Sequence, residues 1–394
     1  AHSENVAHVF TVCGYTIYMS STLLIQSLTA DVVRHDETFL EKWFAPPYSL
    51  LPRASGVDIS DSSIKVLMLK QAAHGFEIGA FSQGPLESGV VVNGIVQNPE
   101  ILGKRLAELF TQAKAPRAAH VALPEEAAYV FTMHMPDARD RAQVRTVIEF
   151  EFEGRVPLKP AQAVYDYDII EAHPDGVGAE IAVTVFPRDV VDGYAAAFAH
   201  AQVRLASLEI EARSIARAIV PPGTPGSTLM VDFGRARTGI AILRGTIPIF
   251  TSTVEVGGDS ITNILMKELK VDEVKAEDYK NNKGLIHTQD APVAEVISGT
   301  ASALSDEIKR HYEYWDSQRN EHGERVTPIR QVLLTGGSSN LRGLPEYISG
   351  RVRASTQRAD VWGNVCSFEE YVPSIDRHHA LGLSTAIGLA LRST

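Results

Sequence analysis

The chain has 394 residues, 44% hydrophobic and 22% charged, with a formal net charge of −11. This is the balance of a globular protein of two or three domains, and its acidity argues against a nucleic-acid binder or a polybasic membrane-surface protein. The only two cysteines, Cys13 and Cys366, form neither a disulfide framework nor a metal site and fit a reduced compartment, and His378-His379, the one adjacent pair among 13 histidines, has no ligand set beside it.

Asn5 to Ala30 carries no formal charge apart from any on His8 and is long enough to span a membrane. Its Ser, Thr and Gln content makes it weakly hydrophobic, and it lacks the basic start of a signal peptide. Residues 1–50 therefore read as an N-terminal extension, disordered or from a misplaced start, with Met19 a candidate start and a membrane anchor the alternative. Phe39 to Tyr48, aromatic and amphipathic, reads as a turn packed on the first domain; a docking segment is the sharper alternative.

Gly56-Val57-Asp58-Ile59-Ser60-Asp61-Ser62-Ser63-Ile64-Lys65, running on into Val66 to Leu69, is the first chemical motif. It reads as an apolar strand, an Asp, a tight hydroxyl-rich turn and a second strand. Such a hairpin gathers backbone N–H groups and hydroxyls beside a carboxylate, which suits a phosphate chain with its magnesium ion. Strands continue to about Phe81, and Gly89 to Gly94 is a further short strand and turn. Pro99 to Ala113 is a helix, with Ile101, Leu102, Leu106, Leu109 and Phe110 at helical spacing. Ala118 to Pro124 closes the first lobe, residues 51–124, as a strand.

Residues 125–201 change pattern. They comprise a strand from Ala128 to Met135, a helix from Arg139 to Phe152, a hairpin of Val164–Ile170 and Ala179–Val185 around Pro174-Asp175-Gly176, and a helix from Asp189 to Ala201. This is an inserted α+β module. Glu149, Glu151 and Glu153 read as a solvated helix end before Pro157, because no base or metal ligand accompanies them. Asp166 and Asp168 read as the polar face of a strand. Residues 202–226 return through the strand from Leu205 and the helix Ala212–Ile219 to the linker Pro221-Pro222-Gly223-Thr224-Pro225-Gly226-Ser227.

The first motif then recurs. Leu229 to Leu243 repeats strand, Asp232, turn and strand, with Gly234 and Thr238 in the turn. Ile247 to Val256 continues the sheet, and Gly257-Gly258-Asp259-Ser260 introduces a helix from Ile261 to Leu269, a start that suits anions. Residues 266–325 are charged and helical, with Glu277 and Lys280 an i, i+3 pair that on a bare surface contributes little. Gln331 to Thr335 is a buried-type strand that turns at Gly336-Gly337-Ser338, where missing side chains allow close backbone approach to a ligand. Residues 227–265 and 326–377 read as the second lobe, and 378–394 as a helix returning to the first.

Taken singly, each Asp hairpin is as readily an ordinary turn of a sheet. The ordered set of three resembles the phosphate and adenosine loops of the actin-like ATPase superfamily, which includes actin, the heat-shock chaperones, sugar kinases and FtsA. Within it, residues 54 to 392 resemble the PilM family of type IV pilus assembly. That resemblance rests also on Leu208-Glu209-Ile210-Glu211-Ala212 with Ala216-Arg217-Ala218, on Val256 to Asp259, and on Ala386 to Arg392. It implies an α/β, actin-like (ribonuclease H-like) two-lobed ATPase fold with an inserted 1C-type subdomain as in PilM and FtsA.

The resemblance implies ATP and Mg²⁺ in a cleft between two halves. Asp58 and Asp232 would hold the metal through water. Ser60, Ser62, Ser63, Lys65, Gly234 and Thr238 would serve the phosphates, with Gly257 and Gly258 close by. Gly336, Gly337 and Ser338 would lie against the adenosine, and Glu277 and Lys280 beside the ribose and base. Glu211 would orient a water, or serve only as a hinge-helix carboxylate. Ser60 stands where the family has Gly, and Arg235 and Arg237 where it has small residues; this puts hydrolysis in question.

The implied partners are the N-terminal cytoplasmic tail of a PilN-type inner-membrane protein, other inner-membrane pilus assembly proteins and further copies of the chain. The implied location is cytoplasmic, at the inner face of the membrane. An FtsA-like scaffold is the main rival, but FtsA carries a C-terminal amphipathic helix where Leu389 to Thr394 follow a core-type helix. A sugar kinase would need a larger insertion, and a type II secretion platform protein a transmembrane helix near its end.

Overall fold

The computed structural model describes residues 8–12, 15–19, 53–73, 75–136, 140–172, 178–286, 290–319 and 325–393. Of Asn5 to Ala30 it describes two strands, β1 (His8–Val12) and β2 (Tyr15–Met19), paired antiparallel. The rest of that stretch, and Phe39 to Tyr48, lie outside the described residues. The chain divides into two units, residues 1–68, 79–210 and 392–394 in one and 69–78 and 211–391 in the other.

The first unit contains β3 (Ser55–Ile59), the parts of β4 (Ser63–Ala72) and β5 (Gly75–Pro85) outside residues 69–78, and a small hairpin of β6 (Val91–Val92) and β7 (Ile95–Val96). Helix α1 (Pro99–Ala113) follows. Asn98 caps it by accepting the Ile101 N–H, Pro99 occupies the first turn, and Lys114 closes it in the left-handed region. Its buried stripe of Leu102, Leu106, Leu109 and Phe110 is the one its spacing predicts.

Next come β8 (Ala118–Leu123), β9 (Tyr129–Met135), α2 (Arg141–Arg155), β10 (Ala163–Ala172), β11 (Ala179–Pro187), α3 (Arg188–His200) and β12 (Arg204–Ile210). The main sheet has the order β12-β8-β3-β4-β5, and β10-β11-β9 form a separate three-stranded sheet. Val144, Ile148 and Phe152 of α2 fill a core with Ile181, Val183 and Val185 that belongs to this smaller sheet. Helix α3 departs from the expected 125–201 block. Its Val190, Tyr194, Ala197 and Phe198 pack with Leu102, Leu106 and Phe110 in the main core. Asp166 is part-buried, and burial pushes its carboxyl up.

The second unit contains α4 (Glu211–Ile219), β13 (Ser227–Phe233), β14 (Thr238–Arg244), β15 (Ile247–Val254), α5 (Gly258–Leu269), α6 (Glu273–Asp278) and α7 (Ala291–Ser317). It continues with β16 (Ile329–Thr335), α8 (Leu344–Val352), β17 (Thr356–Arg358), α9 (Arg377–Leu381) and α10 (Ser384–Ala390). Its sheet has the order β15-β14-β13-β16-β17. Three antiparallel strands join two parallel ones, β13 to β16 and β16 to β17. Read outward from β5, the first unit's sheet repeats that plan, with β3 parallel to β8 and β8 to β12. The recurring Asp motif is thus the mark of a recurring sheet.

Helices α4 and α10 pack at backbone distance. A Cβ on Gly388 would stand 1.7 Å from the Ser214 carbonyl oxygen. Gly388→Ala must push the two helices apart, and we expect it to destabilise the protein by about 3 kcal/mol in urea unfolding, the upper end of overpacking costs. Gly154→Ala, on α2 where a Cβ meets nothing within 4 Å, should be neutral or stabilise by up to ~1 kcal/mol.

Candidate functional site

Strand register places the two aspartates identically. Ile59 pairs with Ile64 to close the first hairpin, and Phe233 pairs with Thr238 to close the second. Asp58 and Asp232 each stand one residue before the closing pair, and four residues, 60–63 or 234–237, make the turn. Each turn carries the same internal bond. The Ser60 N–H donates to the Ser63 carbonyl at 2.9 Å, and the Gly234 N–H to the Arg237 carbonyl at 3.0 Å.

In the first turn, Asp58 is buried and faces Lys65 across the ladder, with Nζ 2.8 Å from Oδ2. A buried carboxylate is costly unless paired, and Lys65 supplies the pair. Ser60 has an ordinary negative φ, so replacing the family's Gly brings no backbone strain. Its hydroxyl organises the turn: Oγ accepts the Ser63 N–H at 3.2 Å and lies 3.0 Å from Ser63 Oγ. Ser62 is exposed, and its carbonyl accepts the Leu86 N–H at 2.9 Å. Asp61, which the sequence reading does not single out, accepts the N–H groups of Asn93 at 3.1 Å and Gly94 at 2.9 Å.

The second unit brings more of the expected residues together. Gly336 has φ 84°, and a Cβ there would stand 2.5 Å from Asp232 Oδ1 and from the Phe233 carbonyl oxygen. Only glycine fits, and it lets the adenosine-type turn touch the carboxylate. A Cβ on Gly337 would meet nothing within 4 Å, so that residue presents bare backbone to open space. Ser338 Oγ donates to the Gly234 carbonyl at 2.8 Å, and the Gly258 N–H donates to the same oxygen at 3.0 Å. One carbonyl thereby joins the turn after β16, the phosphate-type turn and the start of α5.

Arg235 is fixed by a second tie. Its carbonyl accepts the Asp259 N–H at 2.9 Å, and its Nε lies 3.0 Å from both Asp259 carboxylate oxygens. A Cβ on Gly257 would stand 2.3 Å from that same carbonyl. Thr238 differs from the expectation of a hydroxyl offered to phosphate, because it is buried and donates to the Val256 carbonyl at 2.6 Å.

Glu277 and Lys280 are more than a surface pair. Lys280 Nζ lies 2.5 Å from Glu277 Oε1 and 2.8 Å from Thr262 Oγ1, and the Thr262 hydroxyl donates to Glu277 at 2.5 Å. The Lys280 side chain is only 12% exposed, against α5. Burial alone would raise the Glu277 carboxyl; the Lys280 and Thr262 hydrogen bonds outweigh it, with help from the Lys280 and Arg235 charges, and hold it below its ordinary value. Glu211, at the start of α4, accepts the Thr385 hydroxyl at 3.1 Å. No group of three or more metal-binding side chains is present among the described residues.

The native pKa of Glu277 lies below its ordinary 4.5, so its contribution to stability is full above 4.5 and lost as pH falls through the native value. Urea unfolding between roughly pH 3 and 6 should therefore show a smaller acid loss in Glu277→Gln than in the wild type. Ser60→Ala removes the hydroxyl that organises the first turn and should cost about 0.5–1.5 kcal/mol in the same assay.

Comparison with known proteins gives concordant results. The family model described as type IV pilus assembly protein PilM matches residues 56–394. The solved PilM–PilN type IV pilus biogenesis complex is similar in fold, with a TM-score of 0.69 at 20% identity, covering 86% of this chain and 98% of that one. The ethanolamine utilization protein EutJ from Carboxydothermus hydrogenoformans gives a TM-score of 0.51 at 17% identity, covering 88% and 90% respectively.

Proposed function

The chain belongs to the PilM family of type IV pilus assembly proteins, with an actin-like fold, and from that premise we propose that it binds Mg-ATP and recruits the N-terminal tail of a PilN-type inner-membrane protein. The observation that carries the nucleotide reading is the convergence on Asp232. The Gly336 turn touches its carboxylate, and the Gly234 carbonyl gathers Ser338 and Gly258 beside it. The donor set fits a polyphosphate with a divalent cation: turn amides for the anion, Asp232 for the metal or its waters, and bare backbone at Gly337 for a nucleoside. The first turn repeats that chemistry with Asp58, Lys65 and the hydroxyls of Ser62 and Ser63. Bound magnesium would neutralise phosphate charge.

Glu211 is engaged by Thr385 and Arg235 by Asp259. We assign the nucleotide a conformational role. An extended tail suits recognition through strand addition or a groove, and the solved PilM–PilN complex is of that family. No helix among the described residues is long and apolar enough to cross a membrane. A PilN-type partner would bring the chain to the inner face of the cytoplasmic membrane.

Titrating the protein with a synthetic PilN-type N-terminal peptide, with and without Mg-ATP, tests both halves of the proposal. Saturable peptide binding that shifts with Mg-ATP is the expected result. Asp232→Ala should weaken Mg-ATP about tenfold or more, the cost of losing a charged contact of ~1.5–3 kcal/mol. Retained Mg-ATP binding with no peptide binding would favour the FtsA-like scaffold instead.

A further inference from the structure

Asp61 sits in the first turn but holds a different one. The two N–H groups it accepts, from Asn93 and Gly94, belong to the residues between β6 and β7, where Val92 pairs with Ile95. Asn93 has φ 50° and Gly94 φ 71°. Two successive left-handed residues make a type I′ turn, the tightest hairpin connection and a stiff one. A Cβ on Gly94 would stand 2.3 Å from Pro124 Cβ, so the turn is also wedged in place.

On its other side the turn is held by α3. The hydroxyl of Tyr194, fully buried, donates to the Gly94 carbonyl at 2.8 Å. Helix α3 begins at Arg188, immediately after β11 ends at Pro187. The Arg188 guanidinium donates to the carbonyls of Ala161 and Ala163, at the start of β10. Turn 60–63, turn 93–94, α3 and the small sheet are thus joined in one continuous bonded line within the first unit.

We propose that Asp61 and Tyr194 are positioning residues that couple occupancy of turn 60–63 to the small sheet of β9, β10 and β11. The proposal rests on the nucleotide reading given above. Phosphate arriving at the turn amides sets negative charge beside the Asp61 carboxylate and repels it, while magnesium attracts it. Either force acts on the group that holds Asn93 and Gly94. A stiff turn moves as a body, so the displacement reaches the Gly94 carbonyl and, through Tyr194, the helix that leads out of β11. The contact through which the displacement passes is that of the Tyr194 hydroxyl with the Gly94 carbonyl.

Amide hydrogen exchange of the full chain with and without saturating Mg-ATP tests this, read at residues 129–135 and 179–187 and alongside a direct Mg-ATP titration. In the wild type, Mg-ATP should change exchange in those strands. Tyr194→Phe removes one hydroxyl; it should bind Mg-ATP as the wild type does and keep native exchange in α1, yet lose the response in β9 and β11. Asp61→Asn, at a part-exposed position, should lose the same response and serves if Tyr194→Phe fails to fold. A full response in either folded variant overturns the proposal. So does a wild type that binds Mg-ATP with no change in these strands, which leaves the nucleotide reading standing. A wild type that binds no Mg-ATP overturns both.

Discussion

A carboxylate one residue from the end of a paired strand is the constraint on which the rest of each unit depends. Placed there, Asp58 and Asp232 each lie beside a four-residue turn, and a carboxylate so placed tends to stay solvated. The first unit holds it with charge, through Lys65 directly across the ladder. In the second, the Gly336 turn lies against the carboxylate, where any side chain would collide. One sheet plan, used twice, arrives at the same carboxylate position by different chemistry.

The differences between the two turns follow from what surrounds them. The first is rich in hydroxyls and ties itself together through Ser60 and Ser63. The second carries arginines, and Arg235 ties the turn outward to Asp259 at the start of α5. In each case an aspartate keeps the turn in register with a neighbour: Asp61 with the β6–β7 turn, Asp259 with Arg235. An exposed ion pair such as Arg235–Asp259 contributes little stability. Its weight lies in fixing which way a long side chain points.

Much of this was legible in the chain itself. The Asp turns declare themselves by apolar runs on both sides of a small polar stretch, and α1 by one apolar stripe at helical spacing. The ordered set resembles that of the actin-like ATPases and, with further segments, that of the PilM family whose model matches residues 56–394. What was not legible depends on contacts between residues distant in sequence. The apolar face of α3 shows that the helix is buried, but not that it joins α1 rather than the small sheet. Thr238 looks like a phosphate ligand by position, yet its hydroxyl is taken by Val256. Nothing near Asp61 signals that its partners are Asn93 and Gly94, and an i, i+3 pair such as Glu277 and Lys280 gives no hint of Thr262.

On the reading proposed above, the turns gathered at Asp232 form a nucleotide site. The most direct measurement is a crystal structure of the protein with magnesium and a non-hydrolysable ATP analogue. Phosphate oxygens should lie within hydrogen-bonding distance of the 235–237 amides, the cation at Asp232 or its waters, and the nucleoside against Gly337. A nucleotide bound elsewhere on the chain, or none bound at saturating analogue, would contradict it.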